Sequence, residues 1–226
     1  MRTLSLVVLG LLVAACAQAP RQPLAGAPAG GALPADFSGS WERDYARGDE
    51  VSGALADAYY RLARTFPDQQ QFGRAAPAGP PERDVAALYA LARLAELITR
   101  GDVLGISQDA GEIQVEREDD FALTCAFHGG RAVGIENAFG REICGWDGTD
   151  LVSRLDLADG LTIVHRFTVS ADRSQLRVVT TLDSPTSRVP FTLRRFYRRF
   201  ERPAPDFNCV ETLSMKRVCS TGEIEL

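Results

Sequence analysis

Apolar and polar positions alternate with period two over most of residues 103–200, in short runs broken by turn signals. The runs are Val103–Ser107, Glu112–Glu118, Phe121–Phe127, Asp150–Leu157, Leu161–Val169, Gln175–Asp183 and Arg188–Phe200, with a variable stretch at 130–147. Period two is the signature of a strand with one buried face. Asp147-Gly148 and Asp159-Gly160 are hairpin signals, and Ala171–Ser174 and Ser184–Ser187 read as turns. Together with a first strand at Phe37–Arg43, these runs predict a mainly β, antiparallel meander of about 8–10 strands. Closing it into a barrel removes the exposed edges that an open sheet would present. In the last run, Leu193, Phe196, Tyr197 and Phe200 also fit a helical period. The alternation of Phe191 with Leu193 and the aromatic content favour a strand with a bulge.

Two segments between the first strand and the meander change period. Val51, Leu55, Ala58, Tyr59, Leu62 and Phe66 recur at helical spacing within 49–66. Val85, Leu88, Leu91, Ala92, Ala95 and Ile98 do so within 82–100, where Gly101 is a stop signal. A proline-rich linker separates them, so 49–100 is expected to be a two-helix insertion. It either packs on the barrel, forms a lid over a cavity, or serves as a partner-binding element.

The N-terminus has another origin. One basic residue, Arg2, precedes the apolar run Leu4–Val13, too short for a permanent membrane span and suited to a signal peptide. The run ends in Val13-Ala14-Ala15-Cys16, which resembles the bacterial lipobox. The resemblance implies cleavage before Cys16 and acylation of that residue, and several acyl chains anchor a protein firmly. Ala17 stands where an aspartate would signal inner-membrane retention, so the expected location is the outer membrane of a bacterial cell envelope, facing the periplasm. The expected organisation is a signal peptide (1–15), a lipidated flexible tether rich in Ala, Pro, Gly and Gln (16–35), a barrel domain (36–202) and a C-terminal tail (203–226).

Net charge is −5, which gives no electrostatic case for nucleic acid. Of 25 basic residues only Lys216 is lysine. Besides Cys16 there are four cysteines, Cys125, Cys144, Cys209 and Cys219, and an even number in an exported chain favours disulfides. Three pairings exist. The sequential one, Cys125–Cys144 with Cys209–Cys219, is expected, and it requires the strands carrying Cys125 and Cys144 to be neighbours.

Gly39-Ser40-Trp41 has the Gly-x-Trp spacing that opens the first strand of lipocalins and other calycins, and the meander that follows has a similar strand number. The chain therefore resembles a lipocalin-like barrel. It lacks the family's Thr-Asp-Tyr motif, and a helix after the barrel is not evident. The resemblance implies that Trp41 plugs one end of the barrel beneath an arginine of the last strand, for which Arg195, Arg198 and Arg199 are the candidates. It also implies a non-enzymatic protein that binds a small apolar or amphipathic ligand.

Candidate chemistry is sparse. Strand alternation puts Ser153, His165 and Thr180 on otherwise apolar inner faces. Buried polar groups need partners. These three either bond one another or water, or they line a cavity with Phe167 and Phe121 and orient a ligand's polar head. Leu123, Phe127, Ile113 and Val115 would extend that wall. His128, before two glycines, reads as a turn residue. No hydrolase elbow, zinc-protease helix, phosphate loop or Cys-x-x-Cys pair is present, so no catalytic residue, metal or cofactor is assigned. The acidic run Glu116–Asp120 reads as a solvated hairpin tip. Arg194, Arg195, Arg198, Arg199 and Arg202 read as an exposed basic face paired with acids, or as a contact to lipid phosphate. If the barrel is filled by its own side chains, the alternative is an envelope interaction or assembly module that docks a protein through the helices or the 128–140 loop.

Overall fold

A computed structural model describes residues 24, 33–66, 79–117, 122–128, 131–138, 140–201, 208–210 and 218–220. Cys16, the signal and tether apart from residues 24 and 33–35, and Phe121 lie outside the described residues.

The first strand, β1 (Gly39–Gly48), is followed by α1 (Val51–Arg64) and α2 (Glu82–Ile98). The meander then runs through β2 (Val103–Gln108), β3 (Glu112–Arg117), β4 (Leu123–His128), β5 (Arg131–Ala132), β6 (Ile135–Asn137), β7 (Gly140–Asp147), β8 (Asp150–Leu157), β9 (Thr162–Val169), β10 (Gln175–Asp183) and β11 (Phe191–Phe200). A separate hairpin, β12 (Asn208–Val210) with β13 (Val218–Ser220), places Cys209 opposite Cys219 in its backbone register. The architecture is mainly β, an antiparallel meander curled into a half-barrel, with both helices inserted after the first strand.

Strand order in the sheet is β5-β4-β3-β2-β1-β11-β10-β9-β8-β7-β6. The first strand thus lies between β2 and the last strand, with Trp41 opposite Leu104 on one side and Arg199 on the other. Among the described residues the ladder has two ends, β5 and β6. There β5 returns along β4, pairing Ala132 with Phe127, while β6 folds along β7, pairing Ile135 with Glu142. Each edge strand is covered by its own short return instead of by the other edge. The expected variable stretch is therefore this pair of returns plus the full strand β7. His128 ends β4 and pairs with Arg131, at the edge of the connection to β5.

Cys125 of β4 and Cys144 of β7 join across that gap, with Cα atoms 5.6 Å apart. They are neighbours in space but not in the ladder, so a disulfide rather than backbone hydrogen bonding ties β4 to β7. The expected bulge exists on the other partner: the β1–β11 register shifts between Arg43 and Gly48, in β1.

The concave face holds two apolar clusters. One gathers Phe37, Trp41, Leu104, Val115, Trp146, Leu151, Phe167, Leu176, Val178 and Tyr197 around the disulfide. Phe37 and Phe127 stack on Trp146 with ring centroids 5.8 and 6.4 Å apart. The other lies under the helices, where Ala58, Leu62, Leu88, Ala92 and Ala95 meet Ile163, Leu182, Phe191 and Leu193. Ala54 is buried on α1 where Tyr59 was expected, and Tyr59 points outward. α2 starts after Pro80-Pro81, with Glu82 and Asp84 in its first turn, where acids favour the helix dipole. It ends at Ile98 with Thr99 as its C-cap, two residues before Gly101, and the Thr99 hydroxyl donates back to the Ala95 carbonyl at 2.7 Å.

Two glycines are needed for their shape. Gly148, at φ 65°, makes the two-residue β7–β8 turn. At Gly39, φ is 123° and a Cβ would lie 2.6 Å from the Arg199 guanidinium. That glycine leaves room for Arg199 to lie over the Trp41 ring, 5.4 Å from its centroid.

Because the cystine bridges a gap that no ladder closes, its loss should act locally. Cys125→Ala with Cys144→Ala, closing no loop of 19 residues, is expected to cost about 3 kcal/mol in urea unfolding. Hydrogen exchange should speed up first in β4–β7 and leave the β9–β10 ladder protected.

Candidate functional site

Ser153, His165 and Thr180 form one row across the concave face. Ser153 is the ladder partner of His165, and His165 that of Thr180. Cys144 continues the row on β7. On β9, Phe167 belongs to the disulfide-side core and Ile163 to the helix-side core, with His165 between them. On β10, Val178 and Leu182 flank Thr180 in the same way; on β11, Tyr197 and Leu193 flank Arg195. The row is thus a polar belt separating two apolar cores.

His165 Nδ1 lies 2.9 Å from the Thr180 hydroxyl, which is fully buried. Either tautomer permits that bond, with the hydroxyl reversing its role. Ser153 is buried one strand further along.

A cavity opens at the belt, under the C-terminal end of α2. Its volume is about 30 Å³, counted as space that the centre of a water molecule can visit. Leu104, Val115, Leu123, Phe167 and Val178 form the apolar wall; Thr99, Arg117, His165, Thr180, Arg195 and Tyr197 supply the polar groups. Of the five expected ligand-facing residues, His165, Thr180 and Phe167 line this cavity, Ser153 lies beside it in the belt, and Phe121 falls outside the described residues. Leu123 and Val115 line the wall as expected, whereas Ile113 and Phe127 are buried in the disulfide-side core.

Arg195 corrects the reading of the basic cluster as an exposed face. Its side chain is 6% exposed, at an inward position of β11 between Leu193 and Tyr197. Nη1 donates to the Asp49 carbonyl at 2.8 Å and Nε to the Thr99 hydroxyl at 3.4 Å. Among the described residues it forms no ion pair, and Nη2 donates to none of them. Burial, with the nearby charge of Arg43, pulls the guanidinium below its usual value. The more distant charges of Glu96 and Glu50 offset part of this effect without contacting the guanidinium, so the cation lacks a direct carboxylate partner among the described residues. Arg194 and Arg198 are exposed and paired with acids as expected, with Asp49 at 3.0 Å and Glu42 at 2.6 Å, whereas Arg202 lies outside the described residues. Arg199 takes the place over Trp41 and donates to the Ser38 carbonyl.

Two further polar groups complete the cavity. Arg117 Nη1 donates to the Ile98 carbonyl at 3.2 Å, tying β3 to the end of α2. The Tyr197 hydroxyl donates to the Gly101 carbonyl at 3.3 Å. Among the described residues no three His, Cys, Asp or Glu side chains gather as metal ligands, and no helix is long and apolar enough to cross a membrane. Chemically, the cavity can hold and orient a small group; its one hydroxyl–imidazole pair is Thr180 with His165, and among the described residues no carboxylate lines it. Comparison with protein families, curated proteins and solved structures finds no match.

Burial pushes the Tyr197 phenol up to about 12, against about 10 in an unfolded chain. Between those values the native state keeps a proton that the unfolded state has lost. Its contribution is therefore intact below about pH 10 and lost as pH rises toward 12. Tyr197→Phe should flatten the alkaline decline in urea stability, removing about 1 kcal/mol of it by pH 11.

Proposed function

We propose that the protein is a lipid-anchored, lipocalin-like barrel of the bacterial cell envelope that holds one small, partly apolar molecule and performs no catalysis. One observation carries the binding reading: a polar belt with a buried arginine converges on an apolar-walled cavity. Few convergent polar groups on an apolar wall are what small-molecule sites consist of. Two features support the lipocalin likeness. β1 pairs with the last strand, and Trp41, fully buried, lies under Arg199. The Cys125–Cys144 disulfide agrees with an oxidising compartment, and the Val13–Cys16 motif supplies the anchor. Cys16→Ser should move the protein from the membrane pellet to the soluble fraction; retention in the pellet would sink the anchor.

The cavity's size favours a second reading. Drug-sized ligands need roughly 300 Å³ or more, and about 30 Å³ is far below that. In this reading the barrel is filled and the outer face of the helices, with Tyr60 and Tyr89 exposed, docks an envelope protein. Native mass spectrometry of the chain purified from an exporting cell separates the two. A reproducible extra mass, lost on denaturation, is expected for the binding barrel. A clean apo mass, with a crosslinked partner at Tyr60 or Tyr89, would replace it with the docking module.

A further inference from the structure

We propose that the cavity is the site of a short-chain monocarboxylate, its carboxylate on Arg195 and its few carbons against the apolar wall. This rests on the small-molecule reading above and names the ligand's class. The argument begins with the charge. Arg195 is buried, remains a cation at any physiological pH, and has no carboxylate partner among the described residues. Its two protein bonds, to Asp49 O and Thr99 Oγ1, leave Nη2 for another acceptor. The residue lines the cavity, so that acceptor would sit there.

The chemistry of the acceptor follows from the rest of the lining. A planar guanidinium matches a planar carboxylate, whose two oxygens can take parallel N–H bonds. Thr180 and His165 can orient the same group through a hydroxyl or ring proton. A phosphate monoester would bring more charge and a third oxygen to a space of about 30 Å³ with a largely apolar wall. Leu104, Val115 and Val178 suit an aliphatic tail instead. The volume holds the equivalent of about two or three water molecules, which leaves only a short aliphatic stub beside the carboxylate and excludes a long chain.

The test titrates the full mature chain in a nonionic detergent with sodium acetate, butyrate and octanoate, and with butanamide as the uncharged isostere, at constant ionic strength. Calorimetry gives affinity. The Arg195 Nε–H resonance, assigned by its loss in Arg195→Met, reports the site. Butyrate is expected to bind saturably, shift that resonance, and bind roughly tenfold or more tightly than butanamide. Arg195→Met, with its near-ultraviolet circular dichroism retained, should lose that binding. If the variant does not fold, Thr180→Val keeps the side chain's shape and should weaken butyrate by about threefold to tenfold.

Equal binding of butyrate and butanamide would overturn the charge assignment while leaving a small-molecule site in place. Octanoate binding much tighter than butyrate would overturn the length limit and point to a lipid-derived fatty acid. No binding of any of the four, together with a clean apo mass, would overturn both this assignment and the binding barrel.

Discussion

The placing of β1 between β2 and β11 is the constraint on which the rest of the structure depends. It brings the two ends of the sheet's chain path side by side and leaves a single gap, at the far side, where β4 and β7 must be joined by other means. The two short returns, β5 and β6, occupy the backbone groups that would have completed the ladder. The cystine then holds what hydrogen bonds do not. The helical insertion follows from the same constraint. It leaves the chain directly after β1 and comes back at β2, so it packs over the strands at that end, β10 and β11 among them.

The two apolar clusters have different origins, and the belt between them is the consequence. At one end the sheet curls onto itself and its aromatic side chains meet around the disulfide. At the other end helices fill the concavity. Between these fillings the inward positions of adjacent strands are Ser153, His165, Thr180 and Arg195, polar where the neighbours on each strand are apolar. Such groups satisfy one another only in part. His165 and Thr180 do so directly, while Arg195 leans on a backbone carbonyl and a threonine hydroxyl. A carbonyl dipole offsets a buried cation less than a carboxylate does.

Much of the fold was legible because period two is hard to mistake over a long meander. β8 and β10 have the expected bounds, and Ser153, His165 and Thr180 lie on the inner face that alternation gave them. What escaped was the same signal applied to the last strand. Phe191, Leu193, Arg195 and Tyr197 alternate as inward positions, and that alone marks Arg195 as buried. Grouping the arginines by proximity along the chain hid this, because neighbours on a strand face opposite ways. Arg117 and Thr99 could not have been found by such patterns. They reach the cavity because α2 ends over β3, a tertiary placement with no local trace.

The pairing of Ser40 with Phe200 also sets an order of assembly. Contacts so distant in sequence close late, because the loop entropy must be met before they return anything. Local hairpins such as β7–β8 and β9–β10 can form while β1 still lacks its second neighbour. The strand made first by the ribosome thus stays half-paired until the last strand of the sheet has followed it. During that interval Trp41 and the inner face beneath it remain uncovered, an opening for chaperones or for a wrong strand.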